Sequence, residues 1–175
     1  NTAQKISMSE PKQIEIDINP QLLEGMLLRL EHTKWPPTIG EDSWDYGVPK
    51  HWMQDMVNYW TSEWKWENVA AQINEWKHFS VTIDQVPIHY LHAPGKGPNP
   101  KPLVLTHGWP WTFWDFKDVI GPLSDPEKYG GDPMDSFDVY VPSLPGFIFS
   151  SPLTKAGVDV REIAKLWNTL MTKVL

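Results

Sequence analysis

Apolar residues recur at helical spacing through the first half of this 175-residue chain and at alternating spacing from Phe79 onward. Residues 1–13 read as a loose lead. Ile14, Ile16 and Ile18 alternate with Glu15 and Asp17, which predicts a short half-buried strand. Asn19-Pro20 then supplies an N-cap and a first-turn proline for a helix with Leu23, Met26, Leu27 and Leu30 on one face. Trp35-Pro36-Pro37 ends that helix, and residues 36–49 read as an extended loop. A second helix is expected from about Pro49, with Met53, Met56, Val57, Trp60 and Trp64 facing inward. A third covers 66–75, with Trp66, Val69 and Ile73.

From Phe79 the period is 2. Phe79, Val81 and Ile83 alternate with Ser80 and Thr82, Asp84-Gln85 turns, and Ile88, Tyr90 and Leu91 return as a hairpin partner. After a Pro/Gly-rich surface loop at 94–100, Leu103–Thr106 is apolar enough for a strand buried on both faces. It runs into His107-Gly108-Trp109-Pro110-Trp111. A helix then starts with Thr112 and Asp115 in capping-box spacing and buries Phe113, Phe116 and Ile120. A loop containing Tyr129-Gly130-Gly131-Asp132-Pro133 precedes a strand at 137–141, which leads into Pro142-Ser143-Leu144-Pro145-Gly146-Phe147. Asp159, with Glu162 completing the box, caps a last helix with the stripe Ile163, Leu166, Trp167, Leu170 and Val174. The order is three helices, a hairpin, then strand–helix twice. It predicts an α/β fold with parallel crossovers and helices on both faces, whose sheet stops after four strands with its last helix unfollowed by a strand.

Composition narrows the function. The formal charge is −7, from 22 acidic and 15 basic residues, so no basic stripe exists for nucleic acid or an anionic membrane. There is no Cys, which removes disulfides, thiol catalysis and thiolate metal sites. No apolar run approaches the ~20 residues of a membrane span. The start Asn1-Thr2-Ala3-Gln4-Lys5 is polar, lacks a signal-peptide core and has no initiator Met, so something upstream was removed or left out. Eleven Trp are present, and those at 35, 44, 52, 60, 64, 66 and 76 precede the sheet pattern. They read first as core packing, and otherwise as a layer wrapping something bulky.

Strand, sharp turn and helix at His107–Thr112 would present backbone N–H groups to a negative oxygen at the carboxyl edge of a sheet. The histidines offer little else. His89 and His92 point to opposite faces of one strand, which argues against a metal site. His32, His51 and His78 read as surface or helix-boundary residues. No Gly-x-Ser-x-Gly occurs. Gly130-Gly131-Asp132 imitates a nucleophile elbow, but no apolar strand precedes it and Pro133-Met134 follows, so Asp132 reads as a turn residue.

Two motifs together carry a resemblance. His107-Gly108-Trp109-Pro110 and Val141-Pro142-Ser143-Leu144-Pro145-Gly146-Phe147, followed by Ser150-Ser151, resemble the paired motifs of microsomal-type epoxide hydrolases. Those enzymes belong to the α/β-hydrolase superfamily and have an N-terminal epoxide hydrolase domain. The likeness runs from about residue 10 to 175. It implies the N-terminal half of an α/β-hydrolase core preceded by a Trp-rich helical meander, with residues 1–77 as the meander and 78–175 as the incomplete core. It implies an oxyanion loop at His107, Gly108, Trp109 and Pro110, with a cis Trp109–Pro110 bond and the Trp109 N–H as a donor. Trp109, Trp111, Pro145 and Phe147 would line the pocket. Trp111 departs from the family, which usually has Gly there, so loop shape is expected to differ.

The implied reaction turns an epoxide and water into a vicinal diol through an alkyl-enzyme ester. Its nucleophilic Asp, ring-opening tyrosines, acid and His would all lie beyond residue 175, so none of the triad is in this chain. The expectation is therefore an enzyme by family and an inactive chain on its own. No cofactor is implied. The implied partners are a small apolar epoxide and the remainder of the same enzyme. Self-association stays open, and nucleic acid and membrane are not expected. Without the membrane anchor of microsomal members, a soluble cytoplasmic enzyme of bacterial or fungal type is expected. The alternatives are a non-catalytic module that associates through its unfinished sheet edge, or a haloalkane dehalogenase. The dehalogenases usually carry Asn or Glu where this chain has Trp109.

Overall fold

A computed structural model describes residues 6–40 and 43–175, so Asn1–Lys5, read above as the start of the lead, lie outside the described residues. The chain divides into two units, residues 16–72 and residues 1–15 with 73–175.

The smaller unit is helical. Helix α1 (Pro20–Glu31) starts where Asn19 Oδ1 accepts the Gln21 N–H at 3.0 Å. Leu23, Met26, Leu27 and Leu30 are half-buried, whereas Leu22 and Leu28, off that stripe, are exposed. His32 caps the other end, its ring nitrogen 2.9 Å from the Leu28 carbonyl, so it is a helix-boundary residue as expected. Helix α2 (Lys50–Ser62) follows an N-cap Pro49, and α3 (Trp66–Ile73) follows closely, its last residue, Ile73, already belonging to the larger unit. Trp60 was expected to face inward but is exposed at its place on α2. Of the seven early Trp, those at 35, 64, 66 and 76 are half-buried and those at 44, 52 and 60 are exposed. Trp44 and Trp52 meet edge to face at 5.9 Å.

The larger unit is a five-stranded sheet ordered β1-β2-β3-β5-β4; the predicted sheet had four strands, and the N-terminal strand joins it as the fifth. Strand β1 is Lys12–Ile14 and pairs antiparallel with β2, so the predicted strand at 14–18 shifts toward the N-terminus and is shorter. Strands β2 (Lys77–Ile83) and β3 (Val86–Ala93) form a hairpin whose two turn residues, Asp84 and Gln85, have φ of 48° and 68°. Both angles positive is the turn that matches strand twist. Strand β3 pairs antiparallel with β5 (Phe137–Pro142), and β5 pairs parallel with β4 (Lys101–Val104).

Strand β4 was expected at 103–106 and buried on both faces. It lies two residues earlier and has β5 as its one partner among the described strands. Edge position explains why Leu103 and Val104 are only half-buried.

The two sheet faces differ. On one, Val81, Ile83, Ile88, Tyr90 and Tyr140 pack with Leu166 and Leu170. Leu166 lies on α5 (Val160–Thr169), and Leu170 opens the wider turn that follows; the predicted stripe faces inward. Asp159 Oδ1 accepts the N–H groups of Arg161 at 3.0 Å and Glu162 at 2.9 Å. Glu162 does not close the expected box, because its carboxylate is taken by Lys165 at 3.1 Å and Lys155 at 3.4 Å. On the other face lie Val139, Val141, Phe113 and Ile120. The predicted helix after Thr112 begins as a 3-10 turn (Phe113–Phe116) and continues as α4 (Lys117–Ser124), with the Thr112–Asp115 box formed.

Leu166→Ala should destabilise the chain by about 2–5 kcal/mol, because a buried leucine is lost from the face under α5. Val160→Ala, 80% exposed on the same helix, should stay within about 0.5 kcal/mol. Urea unfolding of both variants checks this.

Candidate functional site

Because β4 and β5 run parallel, the segments leaving them meet at one edge of the sheet. Leu105 still pairs through its N–H to the Tyr140 carbonyl at 2.9 Å, after which residues 106–112 form the first loop. Residues 143–152 form the second. His107 is the point of contact. Its Nε2 accepts the Leu144 N–H at 3.0 Å, and its ring meets Phe147 edge on at 5.4 Å. An accepting Nε2 puts the ring proton on Nδ1, which faces the Gly108 carbonyl at 3.1 Å.

Beyond His107 the loop opens to solvent. Trp109 is 81% exposed and Trp111 61% exposed. The Trp109–Pro110 bond is cis, as is Ser151–Pro152. The Trp111 N–H bonds the Gly108 carbonyl at 2.9 Å and closes the turn. Trp111 avoids the positive φ that a glycine would allow. No hydrogen bond is formed by the Trp109 N–H among the described residues. Of the four residues read as pocket lining, Trp109 and Trp111 stand exposed, Phe147 is half-buried against His107, and Pro145 is buried. Asp132 sits in a turn, where its Oδ1 accepts the Met134 N–H at 2.8 Å.

The second loop is shaped by two left-handed residues, Gly146 (φ 83°) and Ile148 (φ 42°). For a β-branched residue that conformation costs roughly 1–2 kcal/mol. It lies between two rings with different partners, Phe147 against His107 and Phe149 against His89 at 5.3 Å.

Directly beneath the loops lies a group of residues whose role is not apparent from the sequence. His78 and His89 are buried and stacked, ring centroids 5.2 Å apart. His78 was read as a surface or helix-boundary residue, and the structure corrects that. The two-residue turn at 84–85 sets His78 opposite Leu91 and Ser80 opposite His89, so both imidazoles fall on the same face two residues apart. His78 Nε2 lies 2.9 Å from the Ile73 carbonyl, and its Nδ1 lies 2.9 Å from His89 Nε2. His89 Nδ1 lies 2.8 Å from Ser143 Oγ. The His89 N–H donates to Ser150 Oγ at 2.9 Å, and that hydroxyl donates to the Ser143 carbonyl at 2.7 Å. Phe113 closes the group, edge on to His89 at 4.9 Å and to His78 at 5.7 Å.

Burial and the neighbouring His78 push the His89 imidazole down to about 3, and burial lowers His78 as well against the pull of its bond to Ile73. Both rings are therefore neutral in the fold. In the unfolded chain they take up protons below about 6.5. The unfolded state then binds more protons, so the stability these rings contribute is present above about pH 6.5 and is lost as pH falls from there toward 3.

A carboxylate–imidazole pair also exists, at the wrong end of the strands. Asp138 Oδ1 lies 2.9 Å from His92 Nε2, and Oδ2 accepts the Tyr140 hydroxyl at 2.7 Å. Burial alone would raise the Asp138 pKa, but Tyr140, His92 and the Gly95 N–H together hold it below the usual carboxylate value. Asp138 sits near the start of β5, about 13 Å of strand from Pro142. It ties the sheet together there and does not face the loops.

Mixed sheet, covering helices and paired loops at the carboxyl edge define the class: this is the N-terminal part of an α/β-hydrolase fold. The sequence model for the epoxide hydrolase N terminus matches residues 11–116, and the chain belongs to that family. It is 37% identical over 160 residues to a putative epoxide hydrolase of Stigmatella aurantiaca, an alignment covering 91% of this chain and 36% of that protein. It is 27% identical over 169 residues to epoxide hydrolase 1 of Oryctolagus cuniculus, covering 93% and 37%. Among solved structures, Aspergillus niger epoxide hydrolase superposes with a TM-score of 0.79 at 25% identity, over 95% of this chain and 43% of that one. Juvenile hormone epoxide hydrolase of Bombyx mori gives 0.79 at 25% identity, over 97% and 40%. The chain thus spans well under half the length of these relatives. No helix among the described residues is long and apolar enough to cross a membrane.

Unfolding in urea should show the protein about 2 kcal/mol or more less stable at pH 5 than at pH 8, and a flat profile would contradict the neutral imidazole pair. Ile148→Asn should raise stability by roughly 0.5–1 kcal/mol, since Asn accepts the left-handed conformation and Ile148 buries little there.

Proposed function

We propose that this chain is the oxyanion-hole portion of an epoxide hydrolase that opens an epoxide to a vicinal diol through an alkyl-enzyme ester. The observation that carries the reading is the Trp109 N–H at the carboxyl edge of the sheet, without a hydrogen-bond partner among the described residues, in a loop anchored at His107 by the second motif. In such a reaction the N–H would bind the negative oxygen formed when water attacks the ester. Trp109, Trp111 and Phe147 would supply apolar wall for a small epoxide, and Pro145 would back the loop from beneath.

The catalytic nucleophile is to be supplied by the longer polypeptide. One oxyanion donor contributes about 2.7–4 kcal/mol, while enzymes lower barriers by about 8–23 kcal/mol. The 175 residues alone are therefore expected to be inactive. The free side of β4, paired only with β5 among the described strands, is where we place the contact with the remainder of the enzyme.

With styrene oxide, the isolated chain should yield no diol above background, and a longer polypeptide containing it should. Diol formed by the isolated chain and abolished by Asp132→Asn would overturn the assignment. Halide release from haloalkanes by the longer polypeptide, without diol from epoxides, would favour a dehalogenase.

A further inference from the structure

We propose that His89, together with His78 and Ser143, is a positioning group for the Trp109 loop, acting through a one-way chain of hydrogen bonds that starts at the Ile73 carbonyl. The direction follows from chemistry. A carbonyl can only accept, so His78 must carry its proton on Nε2, 2.9 Å away. Its Nδ1 is then an acceptor, and His89 must donate to it from Nε2 at 2.9 Å. That leaves His89 Nδ1 as an acceptor, and Ser143 must turn its hydroxyl proton toward it at 2.8 Å. Reversing any one proton would set two acceptors or two donors face to face in a buried site.

The chain reaches both ends of the loop. Ser143 precedes Leu144, whose N–H holds His107 at the start. Phe113, 2% exposed, immediately follows Thr112 at the other end and lies edge on to both imidazoles. Residues 108–112 therefore span two anchors set by the same pair of rings. Among the described residues the side-chain hydrogen bonds and ring contacts of the two imidazoles go to each other, Ile73, Ser143, Phe113 and Phe149, none of them Trp109, so the pair would act on the reaction through the loop it holds. That consequence for catalysis rests on the oxyanion reading above; the chain of bonds does not.

The test is long-range proton–nitrogen NMR of the imidazoles in the full chain, with amide exchange. The expected spectrum has His78 and His89 both protonated on Nε2 and His107 on Nδ1. Ser143→Ala should leave both buried tautomers unchanged, because they are set from the Ile73 end, while the Leu144 amide exchanges roughly five- to ten-fold faster, the worth of one hydrogen bond. His78→Phe should free His89 to populate both tautomers. His89→Leu should release His107 into mixed tautomers while amides of Val81 and Ile88 keep their protection, and His89→Gln, which restores a donor and an acceptor, should recover part of the effect. The proposal is overturned if the wild-type chain shows His89 protonated on Nδ1. It is equally overturned if Ser143→Ala, which adds no bulk and keeps the test open should the histidine variants not fold, leaves Leu144 exchange unaltered. No epoxide enters these measurements, so their failure would leave the functional assignment standing, and an inactive longer enzyme would leave the bond chain standing.

Discussion

The parallel pairing of β4 with β5 is the constraint on which the rest of the site depends. Parallel strands end at the same edge, so the segment after Val104 and the segment after Pro142 emerge side by side although they are 38 positions apart in the chain. Antiparallel pairing would have sent them to opposite ends. One hydrogen bond, Leu144 N–H to His107 Nε2, then fastens one loop to the other.

Beneath that junction the protein places polar groups where an apolar core would be simpler. Burying two imidazoles and two hydroxyls is costly unless each donor meets an acceptor. Here the side-chain groups are matched, and the matching is possible only with both rings neutral. The Asp138 carboxylate, by contrast, has three partners and partial exposure, so it stays charged and holds strand ends together. Two polar clusters on one sheet thus carry different charge because burial differs: it favours neutrality in the His78–His89 pair, while hydrogen bonds outweigh it at Asp138.

Much of the framework was legible because its signals are local. Asn19-Pro20, Thr112–Asp115 and Asp159 mark helix starts through hydrogen bonds within a few residues, and each does so in the fold. The alternation from Phe79 gave the hairpin, and its two-residue turn fixed the register. Errors came where a neighbour decides the outcome. Glu162 lost its capping role to two lysines, one of them on a separate loop. Trp60 fits an inward stripe on α2, yet its side chain stands exposed. Leu103–Thr106 read as doubly buried because apolarity does not say how many strands lie alongside.

By itself, then, the sequence determined the elements, the hairpin register and the two motif loops, since these depend on dihedral preference, capping and period along the chain. It also excluded thiol chemistry, since the 175 residues hold no Cys. Only the tertiary structure decided that His78 is buried rather than peripheral, and that His89 lies between it and Ser143. It alone showed that Phe113 and Leu144 bring both ends of the Trp109 loop onto that pair. Those facts arise from residues distant in sequence being forced together on one sheet face. There the loss of water makes every donor find an acceptor, a requirement that no local pattern records.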